Sequence, residues 1–178
     1  MNKNLIFIFL IFLFVIGCKH KTRVQSQNLK TNRGVTYFKG VPFSGISYEN
    51  FDDSFKKKLT HYSNGKKNGK STSWYPSQKI KEIHTYQSGN KTGIQAGYWP
   101  NGTFRFKKIY NSNGLLAGEQ RQWHSNNVLA RLSNYIQGKE NGLQMGWRYS
   151  GDLKYNYQII NNKRYGYMGS KICVPIAN

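Results

Sequence analysis

From Val35 onward the chain never holds an apolar stripe at helical spacing. Apolar and polar residues instead alternate over short runs such as "GTFRFKKIY", "NVLARLSNY" and "GDLKYNYQI". Phe104, Phe106 and Tyr110 share a parity, and so do Leu153, Tyr155, Tyr157 and Ile159. A period of two, with aromatic and β-branched residues between turn signals, predicts strands. The runs recur. The glycine pair Gly65/Gly69 returns as Gly89/Gly93, Gly114/Gly118 and Gly138/Gly142, with second glycines 24, 25 and 24 residues apart. The same count reaches back to Gly45 and forward to Gly166. A tyrosine precedes each pair: Tyr62, Tyr86, Tyr110 and Tyr135. Five residues after each pair stands Trp74, Tyr98 (with Trp99 beside it), Trp123 or Trp147. Four further on come Gln78, Gly102, Asn127 and Gly151, which mark turns. Asn101-Gly102 reads as a tight two-residue hairpin turn.

The pattern predicts an all-β protein: one elongated antiparallel β-meander of stacked hairpin repeats of about 24 residues each, with about ten strands. Glycine supplies positive φ at the turns. It also leaves room for the tyrosines and tryptophans of neighbouring units to lie over the backbone, identical positions stacking along the sheet as an aromatic ladder. A single hairpin is not stable alone in water, so stability has to come from the interfaces between units.

The units "YSNGKKNGKSTSWYPSQ", "YQSGNKTGIQAGYWPNG", "YNSNGLLAGEQRQWHSNN" and "YIQGKENGLQMGWRYSG" resemble the bacterial variant of the MORN repeat, a family labelled as YwqK-type antitoxins. The resemblance covers residues 37–168. It implies stacked β-hairpins and protein or lipid interaction, with no catalytic residues to carry over. It also implies a toxin partner, as for an antitoxin-like toxin-binding protein. Gln78 and Asn127 stand where the family prefers glycine, which predicts looser turns there.

The N-terminus adds location. Lys3, an apolar run from Leu5 to Ile16 and then Gly17-Cys18 have the layout of a short signal peptide, residues 1–17. The run is too short for a membrane-spanning helix. "VIGC" resembles the bacterial lipobox, which implies cleavage before Cys18 and lipid attachment there, with a thioether diacylglycerol and an acylated (palmitate-type) amine. Two or more acyl chains anchor a protein stably. Lys19 after the cysteine favours the outer membrane if the cell is Gram-negative. Residues 18–34 read as a flexible basic tether, 35–168 as the repeat domain and 169–178 as a cap or tail.

Charge narrows the partners. The formal net charge is +20, from 27 Lys/Arg against 7 Asp/Glu. That favours anionic partners, and export argues against nucleic acid. The histidines His20, His61, His84 and His124 hold no metal-ligand spacing, and Asp52 and Asp53 are adjacent, so a strand would point them apart. No nucleophile motif or phosphate loop is present, so the reading is non-enzymatic and without cofactor. Cys173 has no intramolecular disulfide partner once Cys18 is lipidated. It reads first as a buried thiol; the alternative makes Cys173 and Met168 soft ligands of a periplasmic metal- or thiol-handling accessory protein. The leading expectation is an envelope lipoprotein whose repeat sheet binds another envelope protein or an anionic lipid or glycan surface.

Overall fold

The computed structural model describes residues 21–167. Cys18, His20, Met168 and Cys173 lie outside the described residues. In chain order the strands are β1 (Arg23–Gln25), β2 (Lys30–Asn32), β3 (Val35–Phe38), β4 (Val41–Pro42), β5 (Gly45–Asn50), β6 (Lys56–Ser63), β7 (Lys66–Trp74) and β8 (Ile80–Gln87). Then follow β9 (Asn90–Lys91), β10 (Gly93–Tyr98), β11 (Phe104–Tyr110), β12 (Gly118–Trp123), β13 (Leu129–Ile136), β14 (Lys139–Trp147), β15 (Leu153–Ile160) and β16 (Lys163–Tyr167). The main sheet has 13 strands, and from β5 to β16 each pairs antiparallel with its sequence neighbour, β9 lying off the path against β8. This is the expected all-β meander, longer than the ten strands read from the repeats. At ~4.8 Å per strand the path spans roughly 50 Å.

The start of the chain differs from the expected tether. Arg23–Gln25 pairs parallel with β5, and Val24 is buried. A three-residue 3-10 turn, Ser26–Asn28, leads into a separate small sheet of β2, β3 and β4. Val24 supplies the apolar side chain that lets this basic segment close the sheet. Phe43, also buried, meets Phe38 edge-on and packs at a tilt against Tyr62.

Two kinds of turn alternate, and backbone geometry assigns each glycine its task. At one end of the hairpins, Asn64-Gly65, Ser88-Gly89 and Gln137-Gly138 are two-residue loops with positive φ at both positions (48° and 75° in the first), the type I′ geometry that matches strand twist. The Gly114 loop is one residue longer: Gly114 N–H donates to the Asn111 carbonyl (3.1 Å) and Asn111 N–H to Leu115 O (2.9 Å). That insertion accounts for the single 25-residue spacing.

At the other end the loops have three residues, with only the last at positive φ: Gln78, Gly102, Asn127 and Gly151. Asn101 is not at positive φ, so the Asn101-Gly102 turn is not the two-residue turn expected. Nor are the Gln78 and Asn127 turns loose. Their closing bonds, Gln78 N–H to Tyr75 O (2.9 Å) and Asn127 N–H to His124 O (3.0 Å), match Gly102 N–H to Trp99 O (2.8 Å). Gln78 also reaches back to the preceding hairpin, accepting from Lys56 N–H and donating to Lys56 O.

The sheet is a single layer. Each second repeat glycine lies opposite the tyrosine or isoleucine of the next strand: Gly45 opposite Tyr62, Gly69 opposite Tyr86, Gly93 opposite Tyr110, Gly118 opposite Tyr135 and Gly142 opposite Ile159. The tyrosine row and the tryptophan row stand apart. Five residues separate them, roughly 17 Å along a strand. The Trp row makes its own cross-strand pairs: Trp74 with Ile80, Tyr98 with Phe104, Trp123 with Leu129 and Trp147 with Leu153. Each of these pairs lies at the same register shift. The shift breaks the parity expected of Phe104 and Phe106. Phe106 lies over Gly97 and faces His84, whereas Phe104 turns to the opposite face and stacks between Tyr98 and Trp123.

Candidate functional site

The centre of the tyrosine-bearing face is polar. Across the strands run Ser47, Thr60, Ser71 and His84, then Gln95 opposite Lys108, and then Gln120, Ser133, Gln144 and Tyr157. Gln144 is 0% exposed and Gln95 1%. A sheet whose most buried side chains are polar needs a reason, since an unpaired buried polar group costs about 1–3 kcal/mol.

The glycine bulges supply it. At the second repeat glycine the strand carries extra residues, and the register slips between Thr60 and Tyr62 and between Ser133 and Tyr135. A bulge interrupts the backbone ladder. The glutamine two residues on fills the gap. Gln95 donates to Thr85 O (3.1 Å) and Thr92 O (2.8 Å) and accepts from Thr85 N–H (3.1 Å). Gln120 repeats this with Ile109 O (3.2 Å), Ala117 O (2.9 Å) and Ile109 N–H (2.7 Å). Gln144 keeps one such bond, to Asn134 O (2.8 Å), and its Oε1 is unpartnered. In the first unit Ser71 stands there and bonds Thr60 instead (2.9 Å). The sequence reading missed these glutamines, although "GIQ", "GEQ" and "GLQ" repeat in register.

A second repeated bond clamps the hairpins at the three-residue turns. Tyr75 O–H donates to Tyr98 O (2.8 Å), Trp99 Nε1–H to Trp123 O (3.2 Å) and His124 Nε2–H to Trp147 O (3.1 Å). Three different side chains thus make one bond, which gives Trp99 and His124 a structural task.

Charge is distributed unevenly over this face. Glu82 is held by Arg105 and by His84 Nε2 (2.9 Å). Glu140 is held by Arg131 (2.7 Å) and Arg164 (3.9 Å). Burial alone would raise the Glu82 carboxyl, but His84 and Arg105 together keep it below the ordinary carboxylate value. Between these two acidic clusters, and beside Glu82, stand Lys58, Lys67, Lys91 and Lys108, none in an ion pair among the described residues. Lys67 lies over the Tyr86 ring (5.2 Å), Lys91 over Tyr110 (5.8 Å) and Lys108 over Phe106 (5.6 Å). Burial, with Lys58 and Lys91 nearby, lowers the Lys67 amine, and burial with Lys91 and Arg131 lowers Lys108. Burial likewise raises the hydroxyls of Tyr62, Tyr86, Tyr135 and Tyr157. A groove of about 410 Å³ opens here, lined by Lys58, Lys67, Ser71, Ser73, Glu82, His84 and Tyr86, together with Glu49, Phe51, Lys57, Trp74 and Lys81.

The opposite face carries a recess of about 360 Å³ between Phe104, Lys107, Ile109, Glu119, Arg121 and Trp123. Asp52 sits at a hairpin end, where its carboxylate accepts Ser54 N–H (2.8 Å) and Phe55 N–H (2.9 Å). Among the described residues no three His, Cys, Asp or Glu side chains are grouped to hold a metal, and no helix is long and apolar enough to cross a membrane.

No protein-family model matches the chain, and no curated protein matches its sequence. The likeness to the MORN-type repeat therefore rests on the repeat residues themselves.

Proposed function

We propose that this protein is a non-enzymatic binding scaffold of the bacterial cell envelope, held at the membrane through a lipidated Cys18. Its sheet presents a cationic face to an anionic partner: another envelope protein, a lipid surface or a glycan. The observation that carries the reading is the set of four lysines that have no ion pair among the described residues, on one face of a single-layer sheet. Half-buried cations beside one another, Lys67 and Lys91 over tyrosine rings and Lys108 over Phe106, favour a ligand that brings negative charge.

Two measurements test it. Metabolic labelling with radioactive palmitate should mark the wild-type chain and not Cys18→Ser, and the variant should leave the membrane fraction. Affinity capture from crosslinked cells, at low and at high salt, should return an anionic partner. Label on both forms, or on neither, removes the anchor; an empty capture at both salts removes the scaffold.

A further inference from the structure

The groove between β6, β7 and β8 has a mixed lining. It offers amines from Lys57, Lys58, Lys67 and Lys81, hydroxyls from Ser71, Ser73 and Tyr86, and aromatic surface from Phe51 and Trp74; its two carboxylates are each already held by cations, Glu49 by Lys57 and Glu82 by His84 and Arg105. Phe51 is 42% exposed. The lysine row continues out of the groove across the strands, through Lys91 on β9 to Lys108 on β11. From β6 to β11 that is four strand steps, roughly 19 Å at ~4.8 Å each.

We propose that this face binds a linear acidic polysaccharide, with one saccharide seated in the groove and the chain running across the strands so that its carboxylates or sulfates meet Lys67, Lys91 and Lys108. The inference rests on the scaffold reading above and names its ligand class. Charge complementarity requires an anion. The rest of the lining selects among anions. Single-stranded nucleic acid needs open aromatic faces for base stacking, whereas the tyrosine and phenylalanine rings along this row are covered by lysine amines. A bilayer is met by protruding apolar side chains, whereas serine and tyrosine hydroxyls with charged groups make up most of the groove. Hydroxyls, amines and aromatic side chains suit a hydroxyl-rich ring that carries negative charge. The lowered Lys67 and Lys108 amines agree, since a bound anion relieves the repulsion among them.

The test is a binding titration of the intact protein with oligogalacturonides of increasing length, with dextran, oligo(dT) and phosphatidylglycerol vesicles run alongside. Affinity should rise with length until the oligomer spans the lysine row, and dextran should not bind. The triple variant K67Q/K91Q/K108Q should bind about 15-fold more weakly, taking roughly 2.5-fold per lost exposed ion pair. A charge-matched triple on the opposite face, K70Q/K107Q/R121Q, should change little. Both variants losing affinity equally would reduce the effect to net charge and overturn the proposal. Tighter binding of oligo(dT) or vesicles at matched charge would overturn it as well. Absence of polysaccharide binding, with a protein captured from crosslinked cells, would remove the ligand class and leave the scaffold standing; absence of both removes both.

Discussion

At the residue scale, the glutamines of the bulges and the half-buried lysines act in opposite senses on stability. Gln120 satisfies a backbone N–H and carbonyl of Ile109, so Gln120→Ala should cost about 1–3 kcal/mol. Gln144→Ala should cost less, because that side chain keeps fewer bonds and already leaves Oε1 unpartnered. Urea midpoints of the two variants check the order. The lysines act through pH. Lys67 and Lys108 titrate below the ordinary 10.5 in the folded protein. As pH rises past those lowered values, the folded chain releases protons that the unfolded chain still holds, so stability rises. Above the tyrosines' ordinary 10.0 the sign reverses, because burial keeps Tyr62 and Tyr86 protonated in the fold while the unfolded chain ionises. Stability should therefore climb on the alkaline side and turn over near pH 10, and Lys67→Met/Lys108→Met should flatten the climb. On the acid side, Glu82 contributes stability that is fully present above its ordinary 4.5 and is lost as pH falls through its lowered folded value. Glu82→Gln should remove that loss in pH-dependent thermal melts.

At the element scale the hairpin is set by its two turns. Asn127 occupies the left-handed region at φ 66°, and its side chain makes no hydrogen bond among the described residues, so Asn127→Gly should raise stability by a few tenths of a kcal/mol to about 1. Gln78 has a similar φ, 60°, but its side chain is latched to Lys56, and Gln78→Gly should show no such gain. Denaturation of both variants separates the backbone effect from the latch. Gly97 tests the other use of glycine. Its φ is ordinary, yet a Cβ there would run into the Phe106 ring. Gly97→Ala should be destabilising, and Phe106→Ala in the same chain should relieve part of the cost, a coupling that a double-mutant cycle measures directly.

For the whole molecule, stability resides in neighbour interfaces, with few fully buried apolar side chains (Val24, Phe43, Ala96 and Ile159) among the described residues. Backbone bonds reach from one hairpin to the next: Gly65 N–H to Phe43 O, Gly89 N–H to Lys67 O and Gly138 N–H to Leu116 O, each 2.8 Å. Deleting residues 119–142 joins equivalent positions of two units and should leave a folded sheet two strands shorter. Its urea m-value should fall by about a sixth, in proportion to the surface lost. Loss of cooperative unfolding would count against an additive stack.

Much of this was legible in the residues. The Gly/Tyr/Trp register specified the hairpins, their number to within a few strands and the location of every turn between Tyr62 and Gly151. It did so because turn chemistry and a period of two are local properties of the chain. The faces were not legible. Each hairpin carries a register shift near its Trp pair, and a shift of one residue moves every later side chain to the other face. Phe104 and Phe106 were thus read as neighbours on one face and stand on opposite ones. The strand Arg23–Gln25 reads as tether because one apolar residue, Val24, among polar and basic neighbours gives no period, and only pairing with β5 buries it. The runs Lys56-Lys57-Lys58, Lys66-Lys67 and Lys107-Lys108 suggest a basic stripe in the sequence, but not which of these lysines share a face. Pairing across strands decided which cations share a face, which carboxylates reach them and which amines are left facing one another.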